Sequence, residues 1–258
     1  MNGEIKYINW NDNLNIRIAS NHISENVTFL PGSSKTMSSP LFVTGGQDGF
    51  LKLWASQTCD LLIEYKLSNE AITSIVNHPR ERILLVSTKD SRVHFFDTRQ
   101  LKGLGFVSLS NGYATSADFH IQGGSFVLGT STGNIVQGTV ADWKNLSTVR
   151  LATVDSSIET EVTSIEFSKL EQEEKVIVGS ADGFVRIFTL ENGVATLAEQ
   201  FDIFKDPHGL NDSEPVENLY QGKTHKITAR FSTWDKDAYL CIADSLQYVF
   251  ILNSSQPE

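Results

Sequence analysis

Cysteine is scarce in this chain: Cys59 and Cys241 are the two in 258 residues, and each lies in or beside an apolar stretch. Neither is spaced from the other, or from a histidine pair, as metal ligands are. Reduced, partly buried thiols are therefore expected, and a disulfide framework or zinc site is not. Long apolar runs are missing too. The longest, such as 248–252, is about five residues, against roughly 18 to 20 for a bilayer-crossing helix, so no membrane span is expected. The opening Met1-Asn2-Gly3-Glu4-Ile5-Lys6 lacks a basic start followed by an apolar stretch. No secretory signal is read there, and an intracellular location, cytoplasm or nucleus, is expected. Basic residues are outnumbered, 21 Lys and Arg against 31 Asp and Glu, for a net charge of −10. Such a field repels phosphate backbones and anionic lipid headgroups. The densest basic run, Arg80-Glu81-Arg82, carries its own counter-charge, so nucleic acid is not an expected partner.

Catalytic signatures are also wanting. The six histidines, His22, His78, His94, His120, His208 and His225, include no two at metal-ligand spacing on one element, and zinc needs three or four convergent ligands. Gly45-Gly46 and Gly123-Gly124 are not followed by Lys-Ser/Thr and a helix, so they do not make a phosphate loop. No Gly-x-Ser-x-Gly or Cys-His signature occurs. Isolated carboxylates such as Asp48 and Asp182 have a simpler role in turns. No enzyme activity, metal or cofactor is expected.

What is present is an ordinary globular composition, 40% hydrophobic, 10% aromatic and 20% charged, in a length suited to one large all-β domain spanning 1–258. It is organised as a repeat. Five segments begin with an apolar residue and threonine: Val27-Thr28, Ile72-Thr73, Ala114-Thr115, Val162-Thr163 and Ile227-Thr228, at spacings of 45, 42, 48 and 65 residues. Roughly 20 residues on comes a polar turn: Gln47-Asp48-Gly49, Lys89-Asp90-Ser91, Ser131-Thr132-Gly133, Ala181-Asp182-Gly183 and Ala243-Asp244-Ser245. Six residues beyond the Asp, or beyond Thr132, stands an aromatic in four repeats, Trp54, Phe96, Phe188 and Phe250, with Gly138 the exception. Alternation in Phe50-Leu51-Lys52-Leu53-Trp54 and Phe184-Val185-Arg186-Ile187-Phe188 has the period of a strand packed on one face. Another short strand precedes each turn, at 41–45, 83–87, 126–130, 176–180 and 239–243, and a fourth follows, clearest at 61–65, except in the last repeat, which has three.

Four short strands at a period of 40 to 45 residues is the pattern of propeller blades. The chain resembles the WD-repeat family, most clearly in residues 41–54 and 176–188. The match is degenerate. The family's closing Trp-Asp is reduced to Trp54-Ala55, Phe96-Asp97, Phe188-Thr189 and Phe250-Ile251, and its Gly-His dipeptide is absent, with Thr224-His225 the nearest approach. Trp234-Asp235 falls in the wrong phase to be the signature. In the family a histidine, a strand Ser or Thr, the turn Asp and the Trp form a buried polar network. Here Asp48, Asp90, Asp182 and Asp244 are expected to serve mainly as turn formers.

The resemblance implies an all-β WD-repeat β-propeller of about five recognisable blades, with repeat starts near 27, 72, 114, 162 and 227. Three forms are open: a closed five-bladed ring, part of a seven-bladed ring, or an open propeller completed by a partner. In the first, residues 14–19 would pair with 248–252 and close the ring. The 65-residue gap is filled by an acidic surface loop insertion at 202–223, with Asp202, Asp206, Asp212, Glu214 and Glu217.

The resemblance further implies a non-catalytic protein-protein interaction scaffold or adaptor subunit of an intracellular multiprotein complex. Partner-binding side chains are expected beside the hairpin turns: Gln47, Phe50, Lys89, Arg92 and Phe184, with the two phenylalanines as candidate anchors. Residues 86–99 also resemble the Trp-Asp-x-Arg box of substrate receptors for cullin-type ubiquitin ligases. That alternative would use Asp90, Phe96, Asp97 and Arg99 to dock on the ligase adaptor. The competing structural expectation is an Arg99–Asp97 surface pair. A hydrolytic propeller, the alternative of another class, would need convergent acids or histidines in the channel.

Overall fold

A computed structural model of the chain describes residues 6–7, 17–18, 24–30, 41–55, 58, 60–143, 145–168, 174–191, 193–202, 228–234, 237–243 and 249–253. Among them the structure is β, with one 3-10 turn at Leu146–Thr148. Strands β1 (Lys6–Tyr7) and β2 (Arg17–Ile18) form a two-residue ladder. The rest form sheets in which sequence neighbours are spatial neighbours. The first sheet is β3 (Ser24–Leu30), β4 (Leu41–Gly46), β5 (Phe50–Ala55) and β6 (Leu61–Lys66). The second is β7 (Ile72–Asn77), β8 (Ile83–Thr88), β9 (Arg92–Asp97) and β10 (Lys102–Ser108). The third is β11 (Ala114–Phe119), β12 (Ser125–Thr130), β13 (Ile135–Thr139) and β14 (Arg150–Asp155). The fourth is β15 (Val162–Phe167), β16 (Lys175–Ser180), β17 (Phe184–Glu191) and β18 (Val194–Asp202). The last has three strands, β19 (Thr228–Trp234), β20 (Asp237–Ala243) and β21 (Val249–Asn253). Four of these antiparallel units have the four strands expected from the repeat, consistent with blades, and the last has three. Trp234 ends the first strand of its sheet, out of phase with the repeat signature as expected.

The chain divides into two compact units, residues 1–114 and 115–258. In the first unit the two four-stranded sheets share a core of Val43, Leu53, Ile72, Ile75, Leu84 and Phe96. In the second, Val127, Ile135, Val162, Phe167, Val178 and Phe188 do the same for β11–β14 and β15–β18. In the four four-stranded sheets the second strand, β4, β8, β12 or β16, is buried at nearly every position. Ile83-Leu84-Leu85-Val86-Ser87-Thr88 is buried at every position, as a near-continuous apolar run covered on both faces should be. The fourth strands, β6, β10, β14 and β18, are largely exposed. Close approach of one sheet to the next needs small residues on the second strand. A Cβ on Gly45 would stand 2.5 Å from Ile72 Cγ2, and one on Gly129 would collide with Val162.

Register explains the apolar-threonine motif. The ladders between first and second strands slip by one residue between Ile72 and Ser74 and between Val162 and Ser164, so Thr73 and Thr163 are the bulged residues. Thr163 Oγ1 donates to the Gly179 carbonyl at 3.1 Å. Thr115 Oγ1 is within reach of the Gly129 carbonyl at 3.0 Å and of the Val162 carbonyl that opens the next sheet. Thr73 Oγ1 donates at 2.5 Å to the carbonyl of Ala114, the last residue of the first unit. In the first sheet the slip lies between Ser24 and Asn26, so Glu25 is the bulged residue. Val27-Thr28 therefore sits three residues later in its strand than Ile72-Thr73, and that repeat begins at 24, not 27.

Arg17–Ile18 pairs with Lys6–Tyr7; the pairing of 14–19 with 248–252 belongs to the closed-ring form, and residues 14–16, 19 and 248 lie outside the described residues. Gly138 lacks the aromatic because the space is already filled. It stands opposite Phe126, whose ring lies where a Gly138 side chain would go. Residues 203–227, Cys59, the turn at 244–248, and the side chains of Cys241 and Phe250 lie outside the described residues.

Candidate interaction surface

The hairpins joining second to third strands carry the sequence-predicted turn residues. Gly49, Gly133 and Gly183 hold φ of 71°, 81° and 91°, and Ser91 takes the same left-handed region at 63°. Positive φ is one reason for glycine; a crossing linker is another. Residues 67–71, which join the first sheet to the second, lie against the Gly49 turn: the backbone N–H of Leu67 donates to the Gly49 carbonyl at 3.1 Å, and a Cβ on Gly49 would stand 2.7 Å from the Glu70 carbonyl. The linker then reaches the next turn, where Lys89 N–H donates to the Ala71 carbonyl at 2.9 Å. Residues 156–161 repeat this in the second unit. A Cβ on Gly133 would strike the Ile158 carbonyl, and Ala181 N–H donates to the Glu161 carbonyl at 2.9 Å. Turn, linker and next turn thus form one hydrogen-bonded ledge in the first unit; in the second the linker is hydrogen-bonded to the 181–183 turn and packs closely on the Gly133 turn.

The turn aspartates do more than turn the chain. In the second sheet the Thr88 hydroxyl donates to Asp90 Oδ1 and lies 3.2 Å from His94 Nε2, while the Ser68 hydroxyl, from the linker, donates to Asp90 Oδ2 at 2.9 Å. Arg92 Nη1 completes the group at 3.3 Å. Burial pushes the Asp90 carboxyl up, but the hydroxyls of Thr88 and Ser68 and the charges of Arg92 and His94 outweigh it and hold it below its ordinary range. His94 is pushed down by burial, against the pull of Asp90 and with the help of Arg92. In the fourth sheet Arg186 takes the place of the histidine. Its Nη2 donates to Asp182 Oδ2 at 2.7 Å and its Nη1 to Ser180 Oγ at 2.6 Å, while Ser180 Oγ donates to Asp182 Oδ1 at 2.5 Å. Burial raises the Asp182 carboxyl; hydrogen bonds from Arg186, Ser180 and the Phe184 backbone outweigh it, and the net direction is down. Both networks put Ser or Thr, Asp and a basic residue at intervals of two and four. Asp48 stays a turn former, accepting from Phe50 N–H at 3.1 Å, and that sheet keeps the buried Trp54 Nε1 to Thr44 Oγ1 bond at 2.9 Å.

The predicted partner-binding residues are brought together in part. Gln47, Lys89 and Arg92 are exposed on the ledge of the first unit, and Phe50 is beside them; Phe184 lies on the corresponding ledge of the second unit. The two phenylalanines are half-buried and capped by cations, Phe50 by Lys66 at 4.4 Å and Phe184 by Arg186 at 4.9 Å. Arg92 lies over Phe106 at 4.6 Å. Lys66, Ser68 and Phe106 were missed because they come from linkers and fourth strands with no repeat signature. Arg186 had one, the offset of four from Asp182.

The residues of the ligase alternative do not converge. Asp90 precedes β9 and Asp97 ends it, so a whole strand, about 20 Å at 3.3 Å per residue, separates them. Phe96 is 4% exposed, buried edge-on against Tyr65. Asp97 does not pair with the Arg99 guanidinium. Its Oδ1 accepts the backbone N–H of Arg99 at 2.7 Å and of Gln100 at 2.8 Å, which leaves the Arg99 side chain in solvent.

Among the described residues no group of three His, Cys, Asp or Glu could hold a metal ion, and no helix is long and apolar enough to cross a membrane. No protein-family model matches the chain. A segment of 91 residues is 29% identical to WD repeat-containing protein 90 of Xenopus tropicalis; the match takes in 35% of this chain and 5% of that protein. The chain therefore spans a small fraction of the relative it matches. The four-stranded antiparallel sheets, the Asp turns at a fixed offset from buried aromatics and this similarity are together consistent with degenerate blades of a WD-repeat β-propeller.

Proposed function

We propose that the chain is a non-catalytic scaffold or adaptor subunit of an intracellular multiprotein complex, folded as a single β-propeller with the sheets as blades. It binds protein partners through the turn-and-linker ledges, with Gln47, Phe50, Lys89, Arg92 and Phe184 as contact residues. The observation that carries this reading is the ledge itself. Turn and linker backbones are hydrogen-bonded to each other in both units, so the exposed side chains of Gln47, Lys89 and Arg92 stand on a backbone held in place before any partner arrives. Such preorganisation lowers the ordering cost of binding. Affinity purification with mass spectrometry, run on the wild type and on Lys89→Glu/Arg92→Glu, tests it. Loss of specific proteins from the variant is expected; recovery of the same proteins in the same amounts from both would end the reading.

A further inference from the structure

The far end of β9, away from the Asp90 turn, carries a second surface. In the sequence Arg80-Glu81-Arg82 is a short run broken by its own acid, and folding adds to it. Ile83 stands opposite Asp97 and Asp97 opposite Lys102. Thr98 donates to the Arg82 carbonyl through its backbone N–H at 2.8 Å and its hydroxyl at 3.1 Å. With strands about 4.8 Å apart, Arg80, Arg82, Arg99 and Lys102 share a patch about 15 Å across. All four are exposed, and among the described residues none is in an ion pair. The Asp97 carboxylate accepts the backbone N–H groups of Arg99 and Gln100, and its charge, with those of Glu81 and Asp60, offsets only part of the four cations. This is a local excess of positive charge in a chain of net charge −10.

Beside the patch the first two sheets pack closely through Ile63, Tyr65, Phe96, Thr98 and Leu101, and the gap between them has room for no more than about one water. Thr98 and Leu101 flank Arg99, so cation and gap are adjacent. The strands meet here: a Cβ on Gly103 would stand 2.9 Å from Tyr65 Oη. Leu61 and Leu62, at the near end of the strand that carries Ile63, are 43% and 45% exposed.

We propose that this rim is a docking surface for an acidic, extended peptide segment of another protein, which packs one aliphatic side chain against the exposed Leu61 and Leu62 while its carboxylates face Arg80, Arg82, Arg99 and Lys102. Charge complementarity selects the peptide, and the two leucines set its register. The surface goes beyond the ledge reading, because it lies at the opposite strand end and shares none of its residues.

The test is fluorescence polarisation on the purified full chain with a labelled oligoglutamate peptide carrying one central leucine. Binding that weakens as salt rises is expected, with a loss of about tenfold or more in Arg82→Glu/Arg99→Glu and about tenfold when the leucine is replaced by serine. Lys89→Glu/Arg92→Glu, which alters only the ledge, should bind as the wild type does. Circular dichroism and melting confirm that each variant is folded, and Arg99→Gln/Lys102→Gln serves if the double reversal is not. The proposal fails if the wild type does not bind the peptide, or if the rim variants bind it undiminished. It also fails if serine is as good as leucine, or if a single-stranded oligonucleotide binds the same arginines more tightly than the peptide does.

Discussion

Asp182 accepts from a guanidinium, a hydroxyl and a backbone N–H, the last from Phe184 at 3.2 Å, and so joins the turn to the middle of β17. Asn in its place keeps some of the hydrogen bonds and loses the charge. Hydrogen bonds to a charged group contribute about 1.5 to 3 kcal/mol when buried, and this one is partly solvated, so Asp182→Asn should cost about 1 to 2 kcal/mol at pH 7. The sign with pH follows from the lowered carboxyl. The native state holds its proton less readily than the unfolded chain, so this stabilisation is complete above the ordinary value of 3.8 and is lost as pH falls through the lower folded value. Urea titrations of wild type and variant should therefore differ at pH 7 and converge toward pH 3. A gap that stays the same at both would mean that the residue acts through packing, not charge. The aspartate was legible as a turn residue from its place before glycine. Its pairing with Arg186 was not, because alternation marks that position as one facing away from the core without saying what it meets.

At the scale of the strand pair, one cross-strand position shows how the repeat tolerates its exceptions. Phe42 faces Trp54, Leu84 faces Phe96, Val176 faces Phe188 and Phe126 faces Gly138. In the third sheet the bulk has moved to the other strand: Phe126 is fully buried, packs edge-on against Phe119 at 5.8 Å, and covers Gly138. Gly138→Phe alone should then overpack the site and cost about 3 kcal/mol. Adding Phe126→Val recreates the Val176–Phe188 arrangement and should recover more than half of that loss, read from urea midpoints at constant slope. A double variant no more stable than the single one would show that volume across the pair does not govern this position. The fixed offset from the turn made the aromatic position readable, and the same offset made glycine look like a defect. Only the register reveals that its neighbour supplies the missing ring.

For the molecule as a whole, the expectation of one domain over 1–258 makes a thermal prediction. If residues 1–258 fold as that one domain, the chain should melt in one transition, with calorimetric and van't Hoff enthalpies in agreement. Two resolved transitions would mean that residues 1–114 and 115–258 fold as separate domains. The sheets and their order were readable from the sequence because each strand, hairpin and linker is made within a few dozen residues.

By itself the sequence determined an all-β chain, the four-strand repeat and the turns at Asp48, Asp90, Thr132 and Asp182, since hydrophobic alternation and positive-φ turn chemistry act between near neighbours. Tertiary structure alone decided that Thr73 and Thr163 are bulged, that Ser68 reaches Asp90, that cations cap Phe50 and Phe184, and that Arg82, Arg99 and Lys102 gather at one rim. Those outcomes depend on strand register and on how one sheet seats against the next. Both are set by the summed burial of many side chains from distant segments, a quantity that no local pattern carries.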